Sequence, residues 1–89
     1  MAKLLTPIFT KKFRKQFKKL PPPLRERFNK KLPILLSNPT YPSFYSRKMA
    51  GFDYFEARLT QHYRFTYQIV GKEIWLLSIG SHDTGLGKK

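Results

Sequence analysis

Apolar residues recur along the first third of the chain with a helical period. Phe9, Phe13, Phe17 and Leu20 follow one another at steps of four, four and three, which aligns them on one face, while Lys11, Lys12, Arg14, Lys15, Lys18 and Lys19 cover the rest. Thr10 stands where a helix N-cap is needed. The triplet Pro21, Pro22, Pro23 ends this helix and opens the next, because proline lacks the N–H a helix interior needs but is tolerated in a first turn. Leu24, Phe28, Leu32 and Leu35 repeat the spacing, so the two segments predict a helical hairpin that lays one apolar stripe on another layer. Pro33 predicts a kink or an end to regular hydrogen bonding near Asn29 to Leu32. Ser37 to Ser43, with Asn38, Pro39 and Pro42, has the composition of a loop.

Beyond that loop the period changes to two. Phe55, Ala57 and Leu59 alternate with Glu56, Arg58 and Thr60, and Tyr63, Phe65, Tyr67 and Ile69 alternate with Arg64, Thr66 and Gln68. Glu73 to Ser81 is apolar on both parities, as a central strand is. Gly71 and Lys72 predict a two-residue type II′ turn between the last two strands. Shorter strands are expected at Tyr45 to Met49 and Leu4 to Phe9. The order β-α-α-β-β-β-β predicts an α+β fold, an antiparallel sheet with the N-terminal helical hairpin on one face.

Register carries the pattern toward chemistry. The Gly71–Lys72 turn pairs Ile69 with Ile74, Tyr67 with Leu76 and Phe65 with Ser78 on the helix-facing side, leaving Arg64, Thr66, Gln68, Trp75, Leu77 and Ile79 outside. If Phe55, Ala57 and Leu59 also face the helices, the connection at Gln61 and His62 holds an odd number of residues, and Arg58 joins Arg64. Lys48 joins them if Met49 points into the core, and Glu56 shares the face by register.

Composition narrows the partners. The chain has 89 residues, no cysteine, and 18 Lys plus Arg against 5 Asp plus Glu, a formal net charge of +13. That length predicts a single domain over residues 1–89, with 84–89 as a tail, and disulfides and thiolate metal clusters are impossible. Hydrophobic residues at 40% and aromatics at 16% are enough for a small aromatic core, so the charge does not signal disorder. Residues 1–31 hold 11 of the basic residues and one acid, Glu26. No apolar run is long enough to span a bilayer, and the first nine residues lack the form of a secretory signal, so a cytoplasmic location without membrane association is expected. Such a surplus of positive charge favours a polyanionic partner through counterion release.

Like charges on adjacent strands repel unless a bound anion or a carboxylate such as Glu56 offsets them, so converging cations point to a phosphate site. The competing reading is that they are scattered, solvated side chains. His82, in Gly80-Ser81-His82-Asp83 at the end of the central strand, titrates near neutrality and suits general acid–base work; strict parity points it toward the helices unless Gly80 permits a bulge. His62 lies in a turn, where a surface role suffices. No spacing of histidines and acids suggests a metal site, and neither a nucleophile elbow nor a Gly-rich phosphate loop is present, so no metal or other cofactor is expected.

The run Met49-Ala50-Gly51, then Phe55-Glu56-Ala57-Arg58-Leu59, His62-Tyr63-Arg64-Phe65-Thr66-Tyr67 and Ile74 through Asp83 resembles the toxins of the RelE/ParE superfamily of bacterial toxin–antitoxin systems, and the resemblance spans nearly the whole chain. It implies a microbial-ribonuclease-like toxin that cuts mRNA in the ribosomal A site without a metal, by attack of a 2′-hydroxyl on the adjacent phosphate, and that binds a cognate antitoxin. By position, Arg64 would stabilise transition-state charge, Arg58 and Lys48 would hold the backbone or stand in for a base, and His82 would be the general acid. Arg47, Tyr63, Trp75 and His62 complete the candidate substrate contacts, Tyr63 and Trp75 as stacking rings, with core packing competing for Tyr63. The sequence departs from the family in lacking a second catalytic histidine or carboxylate at the positions the histidine-rich members use, and Glu56 is the candidate base. Two other functions suit the same residues, a ParE-like topoisomerase poison and a basic RNA-binding module without chemistry.

Overall fold

The computed structural model of the chain describes residues 4–81. Its elements run β1 (Thr6–Phe9), α1 (Lys11–Lys18), α2 (Pro22–Ser37), a 3₁₀ turn (Pro42–Phe44), β2 (Arg47–Lys48), β3 (Phe55–Arg58), β4 (Tyr63–Val70) and β5 (Glu73–Ser81), the order the periodicity predicts. They form one five-stranded sheet in the order β1-β5-β4-β3-β2. The last four strands pair antiparallel, but β1 runs parallel to β5, so the sheet is mixed. The helical hairpin carries the chain from β1 to β2 at the opposite edge, and β3, β4 and β5 then return to β1, so the parallel pair is joined by a long connection. No helix among the described residues is long and apolar enough to cross a membrane.

Thr10 does cap α1, its hydroxyl oxygen accepting the Phe13 N–H at 3.2 Å while donating to the Leu76 carbonyl at 2.8 Å, which ties the helix start to β5. Lys15 and Lys18 in the last turn complement the negative end of the helix dipole. Helix α2 runs on through Pro33 instead of breaking. Proline there removes the bond to the carbonyl of Asn29, a residue exposed on the surface where water can replace it.

The stripes of both helices meet the sheet in an aromatic chain. Phe13 and Phe28 lie 5.5 Å apart between ring centroids, Phe28 and Phe65 again 5.5 Å edge to face, and Phe44 abuts Phe65 at 6.1 Å. All four are buried, and each contributes roughly 2–3 kcal/mol through removal of its ring from water.

The β4–β5 hairpin begins as predicted, with Ile69 opposite Ile74 and Tyr67 opposite Leu76, and Gly71 takes the positive φ of 61° that a type II′ turn needs. A bulge then shifts the pairing between Thr66 and Tyr67, so that Ser78 opposes Thr66, not Phe65, and Ile79 opposes Phe65. Leu77 is the extra residue, and parity inverts after it. Ile79, expected outside, is therefore in the core, and Gly80 lies across from Arg64. Ile69 keeps the inner parity but sits at the hairpin tip and remains exposed.

Candidate active site

Three guanidinium groups converge on the sheet face opposite the helices. Arg58 and Arg64 are direct cross-strand partners, with Leu59 to Tyr63, an odd count of five, between them. One step along, Glu56 opposes Thr66 on β4 and Arg47 on β2. A cleft of about 390 Å³ opens here, lined by Tyr45, Arg47, Glu56, Ala57, Arg58 and Arg64. Lys48 does not join it. It pairs with Phe55, on the inner parity, and reaches Asp53 at 4.0 Å near the β2–β3 turn. The expectation assumed that Met49 points into the core, but Met49 is only half-buried, and the register sets Arg47 opposite Glu56 in the outward position.

Paired arginines on neighbouring strands repel, and each is held by a different partner. Arg64 donates from Nη1 to the carbonyls of Gln61 at 2.8 Å and Thr60 at 3.3 Å, leaving Nε and Nη2 without a hydrogen-bond partner among the described residues. The Arg58 guanidinium carbon lies 4.4 Å from the centroid of the Tyr45 ring, a cation–π stack. Arg47 approaches Glu56 Oε1 at 3.7 Å. Glu56 is only 5% exposed. Beneath the cleft Thr66 and Ser78 share a buried hydroxyl–hydroxyl bond of 2.6 Å, which satisfies two polar groups that would otherwise lack water. Among the described residues, three guanidinium charges against one carboxylate leave the cleft two units positive, a charge that suits an anion such as a phosphodiester.

Other candidates fall elsewhere. Trp75 pairs with Gln68, four residues along β4 from Arg64 and so about 13 Å away, and its indole N–H donates to Glu73 at 3.1 Å. It does not line the cleft. Tyr63 has inner parity and packs against the core, the packing role that competed with stacking; its exposed edge lines a groove with Gln16, Lys19 and Leu20 on the helical side. His62 is exposed in the β3–β4 turn, its backbone N–H on the Thr60 hydroxyl oxygen. His82 lies outside the described residues. Tyr45, which sequence reasoning passed over, lines the cleft. Its signal was weak, a tyrosine after a proline-rich loop with no periodic neighbours.

No protein-family model matches the sequence, and no curated protein matches it. Solved structures do. The archaeal RelE–RelB complex from Pyrococcus horikoshii OT3 contains a chain that aligns over 93% of this protein and 100% of its own length, at 25% identity and a TM-score of 0.77. The intact Escherichia coli RelBE complex aligns over 89% and 98%, at 25% identity and a TM-score of 0.71. The YoeB/ParE toxin from Agrobacterium tumefaciens shares the fold at 15% identity, over 88% and 99%, with a TM-score of 0.74. A mixed sheet with a helical hairpin on one face is thus a fold that solved toxins share. The chain belongs to the RelE/ParE superfamily.

Proposed function

We propose that this protein is the toxin of a toxin–antitoxin pair and that it cleaves mRNA on the ribosome without a metal, the RNA supplying its own nucleophile. One observation carries the reading: Arg58 and Arg64 side by side, with buried Glu56 and exposed Arg47 one step away, lining a positively charged cleft. The 2′-oxygen attacks the adjacent phosphorus, its proton passes to the Glu56 carboxylate, and the bond from phosphorus to the 5′-oxygen breaks. Arg58 and Arg64 donate to the phosphate oxygens on which charge accumulates, in a site where their direction is already fixed. His82 protonates the departing 5′-oxygen; that role rests on its place in the sequence. The products are a 2′,3′-cyclic phosphate and a 5′-hydroxyl. The cognate partner is an antitoxin, for which a domain of charge +13 is an electrostatically suitable target.

Expression in growing cells of the wild type and of Arg64→Ala, Arg58→Ala and His82→Ala tests this, with primer extension on a translated transcript. The wild type gives cuts that vanish when translation is blocked, and each variant gives far fewer. DNA damage without RNA cuts would instead make the chain a topoisomerase poison, and RNA binding without either would make it a binding module.

A further inference from the structure

We propose that Tyr45 forms a nucleobase subsite at the mouth of the arginine cleft, stacking a base of single-stranded RNA on the ring face turned away from Arg58. The inference rests on the cleft binding RNA. Tyr45 is 64% exposed, an unusual placement for a ring this close to a cluster of charge. Its backbone is also strained, with φ at 50°, the one non-glycine residue with positive φ among the described residues. Nothing in the core requires this, since the neighbouring Phe44 is the residue that fills it.

The strain is held by rigid flanks. The Tyr45 N–H bonds to the Pro42 carbonyl at 3.1 Å, and the Ser46 hydroxyl donates to the Pro39 carbonyl at 2.8 Å while accepting from the Tyr67 hydroxyl at 3.0 Å. One ring face covers the Arg58 guanidinium, which leaves the other open at the rim of the cleft. A base joined through its ribose to a phosphate between Arg58 and Arg64 meets that open face. Arg58, Tyr45 and the base then form a three-layer stack, in which the cation polarises the ring and the ring supports the base. Stacking needs only a π-face, so the subsite tolerates any base and favours the larger surface of purines.

The test separates binding from cleavage. The full-length protein is titrated into a short single-stranded 2′-O-methyl oligoribonucleotide carrying 2-aminopurine, which lacks the attacking hydroxyl and loses fluorescence on stacking. Tyr45→Asn removes the ring but tolerates the left-handed backbone, and Tyr45→Phe keeps the ring. We expect Tyr45→Asn to bind about 5- to 100-fold more weakly and to lose the quench, while Tyr45→Phe stays within about 3-fold of the wild type. Equal binding and quenching by wild type and Tyr45→Asn, with both folded by circular dichroism, overturns the subsite. Absence of cutting by the wild type on translated mRNA overturns the nuclease reading instead and leaves the stacking result to stand by itself.

Discussion

Replacing Glu56 by glutamine changes the charge of the cleft with little change of shape, and it separates a catalytic carboxylate from a structural brace. Two unit charges 3.7 Å apart, the Arg47–Glu56 separation, attract by about 4–5 kcal/mol at an effective dielectric of ~20. The Arg47 side chain is 73% exposed, however, so solvent reduces the net gain to about 1 kcal/mol or less. Glu56→Gln therefore lowers stability by about 1 kcal/mol, a fall in Tm of roughly 4–8 °C for a domain of this size. The same change removes the only carboxylate that lines the cleft among the described residues, so RNA binds more tightly. Cleavage moves the other way, falling by about 10²- to 10⁴-fold as expected for loss of a general base. Thermal melts, oligoribonucleotide titration and single-turnover cleavage on programmed ribosomes measure the three effects separately. Tighter binding with undiminished cleavage refutes the assignment and leaves Glu56 as a counterion for Arg47.

Truncating fully buried Phe65, which touches Phe28, Phe44 and Tyr67, to alanine costs about 3–5 kcal/mol, read by urea unfolding. Thr10→Ala removes both the cap of α1 and its bond to Leu76, a loss of about 1–2 kcal/mol in the same assay. Burial raises the pKa of the Tyr67 hydroxyl above 10.0, with the Ser46 hydroxyl lowering it in part. Folding thus favours the neutral phenol, so its contribution is complete below pH 10.0 and lost as pH climbs through the raised value; Tyr67→Phe, weaker at neutral pH, shows a smaller alkaline loss in unfolding curves. Arg58→Ala flattens the dependence of log affinity on log salt by about 0.7 for single-stranded RNA, if its guanidinium neutralises one phosphate.

The helical stripe from Phe9 to Leu20 and the alternation of β3 and β4 were legible because each repeats a period over several residues. That Arg58 and Arg64 share a face followed from alternation once Phe55, Ala57 and Leu59 are set against the helices; their direct pairing is seen only in the register. Three features left no such trace. Leu77 resembles its apolar neighbours, so nothing in composition marks it as the residue that inverts parity and brings Ile79 inside. Strand β2 is two residues long, too short for a period that would choose between Arg47 and Lys48. Tyr45 reaches the cleft through a left-handed turn in an irregular segment without a period, held by the local bonds to Pro42 and Pro39 and by the Tyr67 hydroxyl on Ser46.

The chemistry of the cut ends is the most direct measurement. Purified wild-type protein is incubated with ribosomes programmed on a defined mRNA, and the fragments are analysed by mass spectrometry. Use of the RNA's own 2′-hydroxyl in the arginine cleft yields 2′,3′-cyclic phosphate and 5′-hydroxyl termini, and Arg64→Ala leaves the mRNA intact. Fragments ending in a free 3′-hydroxyl, or equal cutting by wild type and Arg64→Ala, would contradict it.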